Sequence, residues 1–227
     1  MSLPTTAPTM LTCRECGAGA SLDAHFCPQC TKILPLPRHA DYYSFFGLPR
    51  RLNLDPADLE QRFRALSRQF HPDYFYNATP QERRASLERS SYLNDAYRTL
   101  RHPANRIEYL LKLEGLAPKS AEEASRQVPP ALLEEVFALN EELDEIRDLR
   151  GSGAPPDQWK ARLERAGQPI EAKRVEHEAQ LQALAARFDA GGPDHDRRGV
   201  LEALRDRFLE RNYITNLLAG IERELNA

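Results

Sequence analysis

Cysteine is missing from the last 197 of the 227 residues: all four, Cys13, Cys16, Cys27 and Cys30, fall near the start. Disulfides through the body of the fold are thereby excluded. Long hydrophobic runs are missing too, and nothing approaches the roughly eighteen consecutive apolar residues that a membrane-spanning helix needs. Neither sign of charge dominates. The net charge of -3 argues against a whole-protein affinity for nucleic acid, because that affinity comes from clustered Lys and Arg on phosphates. Lysine is scarce, five against twenty-six Arg, a bias of the kind a GC-rich genome produces, and it identifies no partner. Strand signals are sparse after residue 40.

What is present belongs to a globular chain, with 41% hydrophobic and 29% charged residues, outside the range of disordered or fibrous proteins. The length fits two to three small domains. Charge is spread unevenly. Residues 41–128 hold fourteen basic and twelve acidic side chains, whereas residues 129–227 hold fourteen and twenty.

The cysteines read C-x2-C-x10-C-x2-C, two close pairs on a short loop, as four thiolates need to surround one structural zinc per chain. Gly17 after Cys16 suits a knuckle that needs positive φ, whereas Thr31 stands at the corresponding place after Cys30. Two disulfides or a redox dithiol are the competing readings. With four cysteines closing the shell, His25 reads as an ordinary loop residue. Such a site has no open coordination position and predicts no hydrolytic chemistry.

Helical periodicity dominates the remainder. Pro35-Leu36-Pro37-Arg38 reads as a linker, and Asp41 to Pro49 as one or two helical turns. Asp55 caps a helix with Pro56 at its first position, and Leu59, Phe63, Leu66 and Phe70 form one apolar stripe. Arg62, Arg64 and Arg68 lie off that stripe. The helix ends before Pro72, since proline pushes its predecessor out of helical torsions. Thr79, Pro80 and Glu82 make a capping box for a second helix running to about Leu100, with Leu93, Ala96, Tyr97 and Leu100 facing inward. The pair is expected to form an antiparallel hairpin with His71-Pro72-Asp73 in its exposed loop. Three longer helices follow a connector ending at Pro129-Pro130, broken at Gly151 to Pro156 and at Gly191-Gly192-Pro193, and suit a three-helix bundle. The fold class expected is all-α, preceded by a small zinc-knuckle unit, with boundaries at 1–38, 39–115 and 116–227.

His71 as a base oriented by Asp73 is an enzymatic reading, but no nucleophile or Gly-rich phosphate cradle lies near in sequence. Recognition suits the exposed loop better.

Asp41 to Leu113 resembles a J-domain of the HscB type. The matching runs are Asp41-Tyr42-Tyr43, Phe46-Gly47-Leu48-Pro49, His71-Pro72-Asp73 with Phe75, Leu93-Asn94-Asp95-Ala96-Tyr97-Arg98-Thr99-Leu100 and Arg106-Ile107-Glu108-Tyr109-Leu110-Leu111. Asn140-Glu141-Glu142-Leu143-Asp144-Glu145-Ile146 resembles that family's scaffold-binding helix, and the four-cysteine extension is similar to that of its zinc-bearing members. The resemblance implies a non-enzymatic co-chaperone of iron-sulfur cluster biogenesis. It would bind an IscU-type scaffold and stimulate a DnaK/HscA-type chaperone through His71, Pro72, Asp73 and the basic Arg62, Arg64 and Arg68. Scaffold contacts carry over to Leu133, Glu134, Phe137, Glu141 and Glu145 on one helix and to Tyr213 on the last. Spacing by four independently puts Leu133, Phe137, Glu141 and Glu145 on one row.

The rivals are a J-domain serving a different client and a zinc-dependent nucleic-acid binder, the latter having only Arg14, Lys32 and Arg38 in its cysteine unit. Self-association through that unit is one role the pattern allows. Only twelve residues precede Cys13 and none is Arg or Lys, so no mitochondrial presequence is expected and a bacterial cytoplasm fits best.

Overall fold

The computed structural model describes residues 10–37, 40–118, 130–191 and 196–226, giving backbone alone at 130–133 and 135. Arg38, Pro129 and the Gly192-Pro193 break lie outside the described residues. These residues hold seven α-helices and one two-stranded sheet, the all-helical class that the periodicities predict. The chain divides into two compact units, Met1–Arg106 and Ile107–Ala227. Among the described residues no helix is long and apolar enough to cross a membrane.

In the first unit, β1 (Leu11–Thr12) and β2 (Gly19–Ala20) pair antiparallel, Leu11 against Ala20 and Thr12 against Gly19. The short α1 (Tyr42–Phe45) exists because Asp41 caps it: the Ser44 N–H donates to Asp41 Oδ1 at 2.9 Å, and the Asp41 N–H donates back to Ser44 Oγ at 3.3 Å. Gly47, at φ +63, ends that turn. Helix α2 (Pro56–Phe70) starts on the Asp55 cap, with the Ala57 N–H donating to the carboxylate at 2.9 Å. Pro72 stops it. Helix α3 (Pro80–Arg101) starts on the Thr79/Glu82 capping box and packs on α2. Leu59, Phe70, Leu93, Ala96 and Leu100 are buried, and half-buried Phe63 stacks on Tyr97 with ring centroids 4.2 Å apart. Each fully buried leucine or phenylalanine among them contributes about 1.5–3 kcal/mol. The division between units falls inside α4 (Pro103–Leu113).

The second unit is built on α5 (Pro130–Gly151), α6 (Pro156–Ala190) and α7 (Arg197–Leu225). Leu139, Leu143 and Ile146 from α5, Trp159, Leu163 and Ile170 from α6, and Ile214 and Ile221 from α7 form its core. Helix α6 continues past Pro169. That residue is exposed, so the carbonyl it deprives of a donor is on the side where water can reach it.

His177 on α6 and Glu210 on α7 are both buried, with His177 Nδ1 3.4 Å from Glu210 Oε2. Arg207 Nη1 lies 2.7 Å from the same oxygen. Burial lowers the His177 pKa, with Glu210 and Glu176 opposing and Arg207 and Lys173 assisting. The folded state therefore favours the neutral ring. That contribution is complete above the ordinary value of 6.5 and is lost as pH falls from there through the depressed folded value. The thermal midpoint of the second unit is expected to fall between about pH 7.5 and about pH 5.5. A His177→Gln chain should lose part of that slope; equal slopes contradict the assignment.

Candidate functional site

The cysteine loop folds into two equivalent knuckles. In the first, the Gly17 N–H donates to Cys13 O at 2.9 Å and the Cys13 N–H to Ala18 O at 2.8 Å. In the second, the Thr31 N–H donates to Cys27 O at 3.0 Å and the Cys27 N–H to Lys32 O at 2.8 Å. The four sulfurs lie within 4.8 Å of one another, and Sγ–Sγ is 3.6 Å for both Cys13–Cys30 and Cys16–Cys27. A tetrahedron with metal–sulfur bonds of about 2.3 Å has edges of about 3.8 Å. Bonded pairs would stand at about 2.05 Å instead. The donor set therefore fits one closed thiolate centre. The backbone amide of Cys30, with that of Gln29 behind it, holds the Cys27 thiol down to about 6 against the burial that raises it; a stabilised thiolate is the ligand form.

Gly17 sits at φ +76 and Thr31 at φ +58, so the second knuckle makes the same left-handed turn with a β-branched residue. That conformation is costly for threonine and free for glycine. Thr31→Gly is expected to stabilise the unit by about 1 kcal/mol, read as a higher chelator concentration needed to strip its metal. Unchanged or easier stripping would count against strain at this turn.

The unit is docked on the helical hairpin around one buried side chain. Arg89 of α3 is 1% exposed. Its Nε donates to Leu34 O at 2.8 Å, its Nη2 to Pro35 O at 3.2 Å and Ala24 O at 3.3 Å, and its Nη1 meets His25 Nδ1 at 2.7 Å. Burial brings Arg89 down to about 10, so it stays charged at neutral pH. His25 falls to about 4, through burial first and the Arg89 charge second. At the rim Lys32 pairs with Glu82 at 2.9 Å, which removes one of the few cations that a nucleic-acid reading would use. His25 is thus no ordinary loop residue: its ring packs edge-on against Phe45 and Phe70, with centroids 4.9 and 5.0 Å away. Sequence reasoning missed Arg89 as well. The available signal was its place in the row Ala85, Arg89, Leu93, a charge inside an apolar stripe.

His71 ends α2 and caps a 3-10 turn over Pro72–Phe75. Its Nδ1 accepts from the Asp73 N–H at 3.4 Å and stands 3.5 Å from Asp73 Oδ2. Asp73 and Tyr74 project into solvent, and His71 is half exposed. The three arginines before this loop are not equivalent. Arg62 is clamped, by Asp58 at 3.0 Å and by the carbonyls of Phe46 and Gly47 at 3.0 and 3.3 Å, so it fastens the end of α1 to α2. Arg64 is exposed but paired with Glu60 at 2.6 Å. Arg68 is exposed, and no ion pair to it is found among the described residues.

On α5, Glu134, Phe137, Glu141 and Glu145 all face solvent, and Phe137 is 73% exposed. Leu133 lies on the same helix, with its side chain outside the described residues. Glu145 shares Arg162 of α6 with Glu142. Tyr213 on α7 is half-buried and packs on the bundle core. A groove of about 680 Å³ between α5 and α6 has Leu139 and Ile170 in its lining and Arg162, Arg165 and Lys173 around it.

No protein-family model matches the sequence. Solved structures that resemble the chain include two chaperones. The chaperone HscB from Vibrio cholerae is 29% identical over 82% of this chain and 98% of that one, with a TM-score of 0.59. Human co-chaperone protein HscB is 26% identical over 94% of this chain and 98% of that one, with a TM-score of 0.69.

Proposed function

We propose, from its likeness to the two HscB structures, that the chain is a J-domain co-chaperone of the HscB type and serves iron-sulfur cluster biogenesis. It binds an IscU-type scaffold through α5 and presents that scaffold to a DnaK/HscA-type chaperone, whose ATPase it stimulates through His71, Pro72 and Asp73. The observation that carries the chaperone contact is the half-exposed His71 with exposed Asp73 and Tyr74 beyond it, while Pro72 and Phe75 of the same turn are partly buried. The ATP chemistry belongs to the chaperone. Exposed Arg68 and Arg64 steer the approach to an acidic chaperone surface, while Arg62 holds the α1 end in place behind them.

On the scaffold side, Phe137 is the anchor. A 73% exposed phenylalanine in a row with Glu141 and Glu145 gives an apolar spot beside an acidic one, the form of an interface hot spot with a charged surround. Leu133 extends the row, Glu134 lies beside it, and Tyr213 supports it from α7. The working boundaries are 1–38 for the cysteine unit with its linker, 39–115 for the J-domain and 116–227 for the scaffold-binding bundle. Zinc is the metal that suits four thiolates in a closed tetrahedron; Cys13, Cys16, Cys27 and Cys30 hold one ion, which cross-links the two knuckles. A bacterial cytoplasm is the compartment that suits these partners.

Phe137→Ala is expected to weaken scaffold binding by about 2 kcal/mol, roughly thirty-fold, at unchanged thermal stability because an exposed ring is removed. Titration of an IscU-type scaffold by calorimetry, beside an unrelated unfolded client, checks this. Equal affinity for both ligands would favour a co-chaperone with a different client.

A further inference from the structure

We propose that Arg89 is a positioning residue for the chaperone-facing loop, and that the cysteine unit acts on that loop through it. The proposal rests on the assigned ATPase stimulation. Four acceptors surround the guanidinium, Leu34 O, Pro35 O, Ala24 O and His25 Nδ1 at 2.7–3.3 Å, and every one belongs to the segment that carries or follows the cysteines. The same guanidinium lies 5.6 Å from the Phe70 ring centroid and 5.9 Å from that of Phe45. Phe70 is the last residue of α2, fully buried, and covalently joined to His71.

Phe70 is fixed from several sides. Its carbonyl accepts from Ser86 Oγ at 2.7 Å and from Ser90 Oγ at 2.8 Å. Its ring meets His25 edge-on at 5.0 Å and stacks on Phe26 at 5.9 Å, both residues of the cysteine unit. Ser86, Arg89 and Ser90 lie on one face of α3, three and four residues apart. A helix end leaves its last carbonyls without intrahelical donors; here the last one is held twice, one peptide unit before the His71 side chain. Loosening Arg89 frees Phe70 to shift, and the direction of His71 shifts with it while α2 and α3 stay packed through Leu59, Phe63, Leu93 and Tyr97.

The test uses the full chain with three variants. Arg89→Met keeps the stem and removes the donors; Arg89→Lys keeps the charge and some donors; Ser86→Ala/Ser90→Ala frees the Phe70 carbonyl and leaves the cysteine unit's contacts untouched. Two quantities are read: the co-chaperone concentration giving half-maximal stimulation of a DnaK-type ATPase, and amide hydrogen exchange at Asp73, Tyr74 and Phe75 with no chaperone present. Arg89→Met and the serine pair are expected to raise the half-maximal concentration about tenfold at unchanged maximal rate, and to speed loop exchange about tenfold. Arg89→Lys should lie between them and wild type. Wild-type exchange and wild-type half-saturation in Arg89→Met overturn the proposal; where that variant fails to fold, the same result in both Arg89→Lys and the serine pair overturns it. A chaperone that ignores the wild-type chain overturns the assigned activity instead, and the exchange rates then decide positioning by themselves.

Discussion

Replacing His71 with glutamine is expected to return the chaperone's ATPase to its unstimulated rate at any concentration of the variant. The reason is local. The His71 side chain makes only long contacts within the chain, to the Asp73 N–H at 3.4 Å, to Asp73 Oδ2 at 3.5 Å and edge-on to the Tyr74 ring at 6.1 Å, and is otherwise directed to solvent, so the fold asks little of it. Glutamine is of similar size and also offers an acceptor for that N–H, which keeps the 3-10 turn over Pro72–Phe75 plausible on steric grounds. What it lacks is an imidazole to present to the partner. Stability should therefore stay within about 0.5 kcal/mol of wild type, and scaffold affinity, carried by α5 in the other unit, should be unchanged. Single-turnover ATP hydrolysis with circular dichroism as control makes the measurement. Retained stimulation would move the chaperone contact away from this loop.

The largest effect on stability is expected from the Cys13→Ser/Cys16→Ser pair. Zinc content should drop from about one per chain to none, and the segment from Leu11 to Leu34 should lose its fixed structure. Its apolar cluster is only Cys13, Ala20, Cys27 and Leu34 with a few partly buried neighbours, and two of those four are themselves ligands. Structural zinc sites supply on the order of 10–16 kcal/mol of folding free energy in isolated modules, and a cluster of this size has no substitute for it. The loss then reaches the hairpin. Arg89 would keep a buried charge without Leu34 O, Pro35 O, Ala24 O and His25 to satisfy it, and stranding one side of a buried polar arrangement costs about 3–5 kcal/mol. Metal analysis combined with hydrogen exchange along α3 distinguishes the outcomes. Metal-free wild-type protein, or a pair variant with undisturbed exchange around Arg89, contradicts the account.

Features that depend on neighbours in sequence were the ones read correctly. Asp55 with Pro56 and Thr79 with Glu82 cap their helices because a cap needs only three or four residues. The paired CxxC motifs imply a convergent site for the same reason, since each knuckle closes on itself. Misreadings came where the partner is distant. Arg89 finds its acceptors 54 to 65 residues away, and nothing within a helical turn of Arg89 or His25 announces the other. Arg62 reads as a surface cation by its place off the apolar stripe, yet the carbonyls of Phe46 and Gly47, exposed by the break at α1, draw its guanidinium inward. Tyr213 shares a helix face with residues that pack on the core, so its ring is divided between core and surface. Thr31 shows that the backbone demand of the second knuckle outweighs the residue's own preference.

The basic-to-acidic gradient along the sequence also acquires a narrower meaning. Of the eight arginines on α2 and α3, Arg62, Arg64 and Arg84 are ion-paired within the hairpin, to Asp58, Glu60 and Glu88 at 3.0, 2.6 and 3.0 Å. Steering toward a chaperone therefore falls on the exposed arginines outside these pairs, Arg68 beside the loop foremost, and should respond to ionic strength within the usual screening range of about 10 Å at 0.1 M salt.

The central claim is that one chain joins a scaffold to a chaperone. The most direct measurement is steady-state ATP hydrolysis by a DnaK/HscA-type chaperone with the scaffold alone, with this chain alone, and with both. The account predicts that both together stimulate well beyond the sum of the separate effects, and that Phe137→Ala reduces this excess while leaving stimulation by the chain alone intact. Strict additivity, unaltered by Phe137→Ala, would contradict it.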